Sequence, residues 1–158
     1  MKGKVKRFFK GERGTQTIEF ALAFPFLLFL FVSAVEMARM FKTYTTLQKA
    51  TEVGARYLST APVSGGTYAS SDTTTATNLI VCGNASSCSG QDPVVAGLTS
   101  SNVTITPPGT SNGTRYVTVK VTYAYSPFAF DNPNMSYWGF SLNFTFTPTI
   151  TMRYMLVT

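Results

Sequence analysis

The run FALAFPFLLFLFVSAV, residues 20–35, constrains this chain more than any other stretch. Apart from Ser33 every residue in it is apolar, and Pro25 stands in its interior. A bilayer asks for roughly 20 such residues. Ile18 before the run and Met37, Ala38, Met40 and Phe41 after it extend the apolar stretch. The expectation is a helix that crosses a membrane. One carboxylate, Glu19, stands just inside its front edge, five residues after Gly14.

Charge is concentrated in front of this run. The whole chain of 158 residues carries +6, from 13 Lys and Arg against 7 Asp and Glu. Residues 1–14 hold Lys2, Lys4, Lys6, Arg7, Lys10 and Arg13 against Glu12, so +5; residues 15–158 keep +1. A nearly neutral body removes the case for nucleic acid as a partner. A basic leader beside an apolar run instead marks the cytoplasmic side of a membrane segment, with lipid as the partner.

The helical pattern outlasts the membrane. Met40, Tyr44, Leu47, Thr51, Gly54 and Leu58 recur at spacings of four and three, one face of a helix. Lys42, Gln48, Lys49, Glu52 and Arg56 occupy the other faces. One helix is therefore expected over residues 15–60, with 15–36 in lipid and 37–60 as an amphipathic continuation that covers a domain. Pro62 and the glycine pair Gly65–Gly66 end it. Just past the span, Glu36 and Arg39 have the spacing of an ion pair on one helix face.

Residues 61–158 read as a β-rich domain. Residues 67–102 are rich in Ser, Thr, Asn and Gly and read as irregular connections, with a short helix around Thr75–Val81. From Val103 the period becomes two. Val117, Val119, Val121, Tyr123 and Tyr125 alternate with small or polar residues, as do Phe140, Leu142, Phe144 and Phe146, and then Ile150, Met152, Tyr154 and Leu156. Asn112–Gly113 supplies a hairpin turn, and Pro148 breaks or bulges the last join. The expected class is α+β: a long N-terminal helix packed on a small antiparallel sheet of three or four strands.

Cys82 and Cys88 sit in CGNASSC. They close a disulfide loop in an oxidising compartment or remain two thiols. Two thiols and no histidine fall short of the four ligands of structural zinc, so no metal is expected, nor any cofactor. No histidine base, G-x-S-x-G elbow or phosphate-cradling glycine loop is present, and Asp72, Asp92 and Asp131 read as isolated loop acids. No enzyme is expected.

Three readings of the N-terminus remain. A plain single-pass anchor bearing a β-rich adhesion or binding domain accounts for the charge and the apolar run. A signal peptide cut near Ala34, after Val32-Ser33-Ala34, would release a secreted β protein. The third takes Gly14 and Glu19 together. A basic leader ending in glycine, a glutamate at the fifth position after it and an apolar helix resemble the class III signal of type IV pilins. The stretch RGTQTIEFALAFPFLLFLFVSAVEMARMF, residues 13–41, is similar to the N-terminus of TadE-like pseudopilins of the tight-adherence (Tad/Flp) pilus system. LQKATEVGARYLST, residues 47–60, resembles that family's second landmark.

The resemblance implies a minor pilin-like protein with a pilin-like fold. A prepilin peptidase would cut after Gly14 on the cytoplasmic side and make Thr15 the first residue. Classical pilins begin with a bulky apolar residue there, and this chain does not. Its partners would be that peptidase, other pilin and pseudopilin subunits, and the inner-membrane assembly machinery. It would start in the bacterial cytoplasmic membrane with the domain outside, and end in a pilus that serves cell adhesion. Cutting would leave an amine on Thr15 one helical turn from Glu19, or within reach of a neighbouring subunit's glutamate. Glu19 is then an assembly key.

Overall fold

The computed structural model describes residues 13–109, 115–127 and 144–155. The basic leader up to residue 12, the Asn112–Gly113 turn, the segment 128–143 and Leu156 lie outside these residues. The chain forms two compact units, Met1–Met37 and Ala38–Thr158.

One helix, α1 (Arg13–Thr60), runs through both. In the first unit its apolar side chains are exposed all round, with Phe26 at 75%, Leu22 at 71% and Phe31 at 69%. Such a surface is stable only against an apolar surround. Pro25 lacks an N–H and so removes one ladder bond of the helix, yet α1 passes through it unbroken. Ser33 donates its hydroxyl to the Phe29 carbonyl at 2.8 Å, which hides its polarity inside the helix.

In the second unit α1 turns amphipathic. Leu47, Ala50, Thr51, Gly54, Ala55 and Leu58 are buried, spaced as one broad helical stripe. The expected face is therefore present from Leu47 onward, widened by Ala50 and Ala55. Buried Thr51 satisfies its hydroxyl on the Leu47 carbonyl at 2.7 Å.

The chain leaves α1 through a hairpin, β1 (Val63–Ser64) and β2 (Thr67–Tyr68). Gly65 and Gly66 both take positive φ, 61° and 83°, as a two-residue type I′ connection requires. The glycine pair thus builds a turn as well as ending the helix. Tyr68 donates its hydroxyl to the Leu58 carbonyl at 2.8 Å, which closes the hairpin back on the end of α1.

The expected short helix is longer. α2 spans Ser70–Cys82 and buries Ala76, Ile80 and Val81. Its first turns are rich in Ser and Thr, yet helical. Thr74, Thr75 and Thr77 donate to carbonyls four residues back at 2.7–2.9 Å. Asp72, expected in a loop, lies in the first turn of α2 and accepts the Tyr57 hydroxyl at 3.2 Å.

Five strands follow among the described residues: β3 (Val103–Thr106), β4 (Tyr116–Val121), β5 (Tyr123–Tyr125), β6 (Phe144–Phe146) and β7 (Thr149–Arg153). Among the described residues they form an antiparallel three-stranded sheet in the order β3-β4-β7 and a separate β5-β6 pair. The continuous strand expected from Val117 to Tyr125 is thus two strands with different partners. The break falls at Thr122, opposite the break at Thr147–Pro148. The Pro148 carbonyl accepts from Val121 N–H at 3.0 Å, and the Asn102 carbonyl accepts from Thr122 N–H at 2.8 Å.

Val117, Val119 and Val121 point inward and are fully buried, in one cluster with Leu47, Leu58 and Ile80. The C-terminal part of α1 packs on the small antiparallel sheets, as expected. Tyr44 meets Phe146 edge-on, ring centres 5.6 Å apart, and Met155 N–H bonds to the Ser59 carbonyl at 2.9 Å.

Candidate functional site

The residues that stand out in the sequence fall on α1. Gly14 and Thr15 lie in its opening turn, just inside a helix that begins at Arg13. Glu19 follows Thr15 by four positions and is exposed. Residues four apart stand above one another on a helix face. No hydrogen bond or ion pair among the described residues engages the Glu19 carboxylate. It stands beside exposed Ile18 and Phe20 on a surface that otherwise suits lipid. A carboxylate there is costly, and cost of this kind marks functional positions in membrane segments.

The apolar part of α1 is the one described helix long and apolar enough to cross a membrane. It also runs uninterrupted through Val32-Ser33-Ala34, the residues of the alternative signal-peptide cut.

Farther along, the segment 47–60 is accounted for by packing. Gly54 lies against Ile80 and Ala76 of α2, so close that a β-carbon on Gly54 would overlap the Ile80 side chain. Ala55 is fully buried. Arg56 turns outward and pairs with Glu52 at 3.2 Å, one turn before it. Both side chains are well exposed, so the pair contributes at most a few tenths of a kcal/mol. Tyr57 reaches the other way, to Asp72. Small residue, small residue, outward cation, inward aromatic: that order lets α2 lie directly on α1.

Residues 14–56 match the family described as TadE-like protein. The chain carries a TadE-like N-terminal region. The match covers 43 of the 158 residues, the apolar part of α1 and most of the helix that follows it, and stops before the β-rich part. It supports a protein associated with the Tad pilus, a membrane-associated system whose components act together. In the same comparisons no curated protein and no solved structure matches the chain.

The cysteines take the bonded alternative. Cys82, the last residue of α2, forms a disulfide with Cys88, with Cα atoms 5.6 Å apart. Inside the closed loop the Asn84 side chain accepts from Ser86 N–H at 3.0 Å, which turns the chain back on itself. Just beyond the loop, Val94 N–H bonds to the Val81 carbonyl at 2.8 Å. The bridge therefore fastens the end of α2 within the second unit and lies far in sequence from Glu19.

Sequence patterning does not reveal the Tyr57–Asp72 contact. Its one signal is an aromatic on the inward side of Arg56, and nothing in Ser70–Thr75 marks Asp72 as helical.

Proposed function

We propose that this TadE-like protein is a minor pilin or pseudopilin, and that it works by assembly and not by catalysis. It inserts in the cytoplasmic membrane with residues 1–14 inside, 15–36 in lipid and the domain from residue 61 onward outside. A prepilin peptidase removes the leader after Gly14. The processed chain then helps to assemble, prime or cap a Tad-type adhesion pilus.

The observation that carries this reading is Glu19, an exposed carboxylate without a described partner on an exposed apolar helix, inside the region of the TadE-like match. Leader removal takes away +5 and leaves an amine on Thr15. An ammonium is the group that makes a carboxylate tolerable in low dielectric. The amine of an adjoining subunit meets this need, so Glu19 sets the register between subunits.

N-terminal sequencing of the membrane-extracted chain tests the processing. Thr15 as first residue supports the proposal. Met1 would leave an unprocessed anchored domain, and Val35 a secreted one. Glu19→Ala tests the assembly role. The variant is expected to insert as the parent does and to be absent from sheared pili; normal incorporation would overturn the register role.

A further inference from the structure

The β3-β4-β7 sheet has a second face. Val117, Val119 and Val121 face the core, so their neighbours in the strands face outward. The register aligns those neighbours across all three strands. Thr104, Lys120 and Thr149 form one rung; Thr106, Thr118 and Thr151 form the next. Tyr116 stands opposite Arg153 beyond them. Thr118 is half-buried and the other members of the rungs are exposed, with Tyr116 at 53%. The Thr118 and Thr151 hydroxyls lie 3.0 Å apart and bond across the strands. The three strands contain no acidic residue. The result is a hydroxyl-lined face with one ring and two unopposed cations.

We propose that this face binds a strand of acidic polysaccharide. Threonine hydroxyls donate and accept, as sugar hydroxyls do. The Tyr116 ring offers an apolar plate with a polar tip, suited to the apolar face of a pyranose. Lys120 and Arg153 attract carboxylates. At about 3.4 Å per residue, and with strands about 4.8 Å apart, the two cations stand about 14 Å apart. That spacing is sparse beside duplex nucleic acid, each strand of which carries a charge every ~3.4 Å. It suits a polyuronate, which carries one carboxylate to each sugar ring, so that the two cations meet carboxylates several sugars apart along one strand. A protein partner would look for apolar anchors, and this face offers hydroxyls and a single ring.

The inference rests on the proposed function only for the domain's place outside the cell. Its test does not depend on leader cutting or pilus assembly. The full chain, held in nanodiscs of zwitterionic lipid, is titrated with polygalacturonate, with neutral dextran and with oligothymidylate at low and high salt. Polygalacturonate is expected to bind tightest at low salt and to weaken as salt rises. The double substitution Lys120→Glu and Arg153→Glu removes two exposed pairs and adds repulsion, so binding falls about tenfold or more. Tyr116→Ala weakens it severalfold. Lys49→Glu, on the exposed side of α1, leaves it unchanged.

Circular dichroism checks that each variant is folded. If the charge reversal unfolds the chain, Lys120→Gln with Arg153→Gln carries the same comparison. Unchanged binding by the double variant would overturn the proposal. So would equal or tighter binding of oligothymidylate, equal binding of dextran, or no binding of polygalacturonate by the parent.

Discussion

Gly54 has no room for a β-carbon because Ile80 already fills the space. Ile80 is fully buried, so its branch has nowhere to move. Two effects compete in Gly54→Ala. Alanine gains about 1 kcal/mol of helix propensity. Forcing a methyl into a packed core costs about 1–3 kcal/mol. Here the overlap is with the Cγ1–Cδ1 branch of a fully buried isoleucine, so the cost wins. Urea denaturation of the full chain in micelles, followed by circular dichroism, is expected to show a net loss of up to about 2 kcal/mol. Ile80→Ala alone should also destabilise, and the two changes together should cost less than their sum. A Gly54→Ala chain as stable as the parent would remove the close helix contact from the account.

The Cys82–Cys88 bridge closes a short loop, so its stabilising effect is near the low end for disulfides. The chain-entropy relation gives about 2 kcal/mol for a loop of this size. The bridge lies at one end of α2, where both cysteines are half-buried and pack against the rim of the core of Leu47, Leu58, Val119 and Ile80 without forming part of its fully buried centre. Cys82→Ser with Cys88→Ser should therefore stay folded at neutral pH and lose about that amount. Adding reductant should lower the parent to the same stability and leave the variant unmoved. A large effect of reductant on the variant would show that the bridge is not the cause.

Tyr68 sets an alkaline limit. Burial, then the nearby Tyr154, pushes its hydroxyl up to about 12. Burial raises Tyr123 as well. A group whose pKa is higher in the folded state than in the unfolded chain contributes fully while both are protonated. Its contribution is lost once the unfolded chain deprotonates, from about pH 10. Stability should be flat with respect to these groups below about pH 10 and fall between there and about pH 12. Tyr68→Phe should flatten much of that fall, at the cost of the bond to the Leu58 carbonyl. An unchanged alkaline slope in Tyr68→Phe would assign the fall to other groups.

Long-period features of this chain are legible in its amino-acid order. The apolar run marks α1, and the stripe from Leu47 to Leu58 marks its buried face, because helix periodicity needs only side-chain hydrophobicity to be seen. The β-rich character is visible for the same reason. What stays hidden depends on pairing. Val121 and Tyr123 share a face, so the apolar alternation runs on across Thr122 although the partner changes from Val103 to Phe146. A period of two cannot record a change of neighbour. The first half of α2 is hidden because Ser and Thr are weak helix formers that compete for backbone bonds. In this protein their hydroxyls fold back onto the helix's own carbonyls. At the N-terminus, sequence and family likeness point to Gly14, Thr15 and Glu19, while the role of each rests on the processing and assembly experiments.

The paired breaks at Thr122 and Pro148 carry an evolutionary consequence. Residues 126–143 depart from β5 and return at β6, both beyond the breaks. The register of β4 against β7, with Val117 opposite Met152 and Val119 opposite Ile150, is set on the near side. Insertions or deletions in that excursion can be absorbed without sliding a core valine out of place. The breaks act as a firewall: a change of length between β5 and β6 stops at Thr122 and Pro148 and leaves the valine core in register.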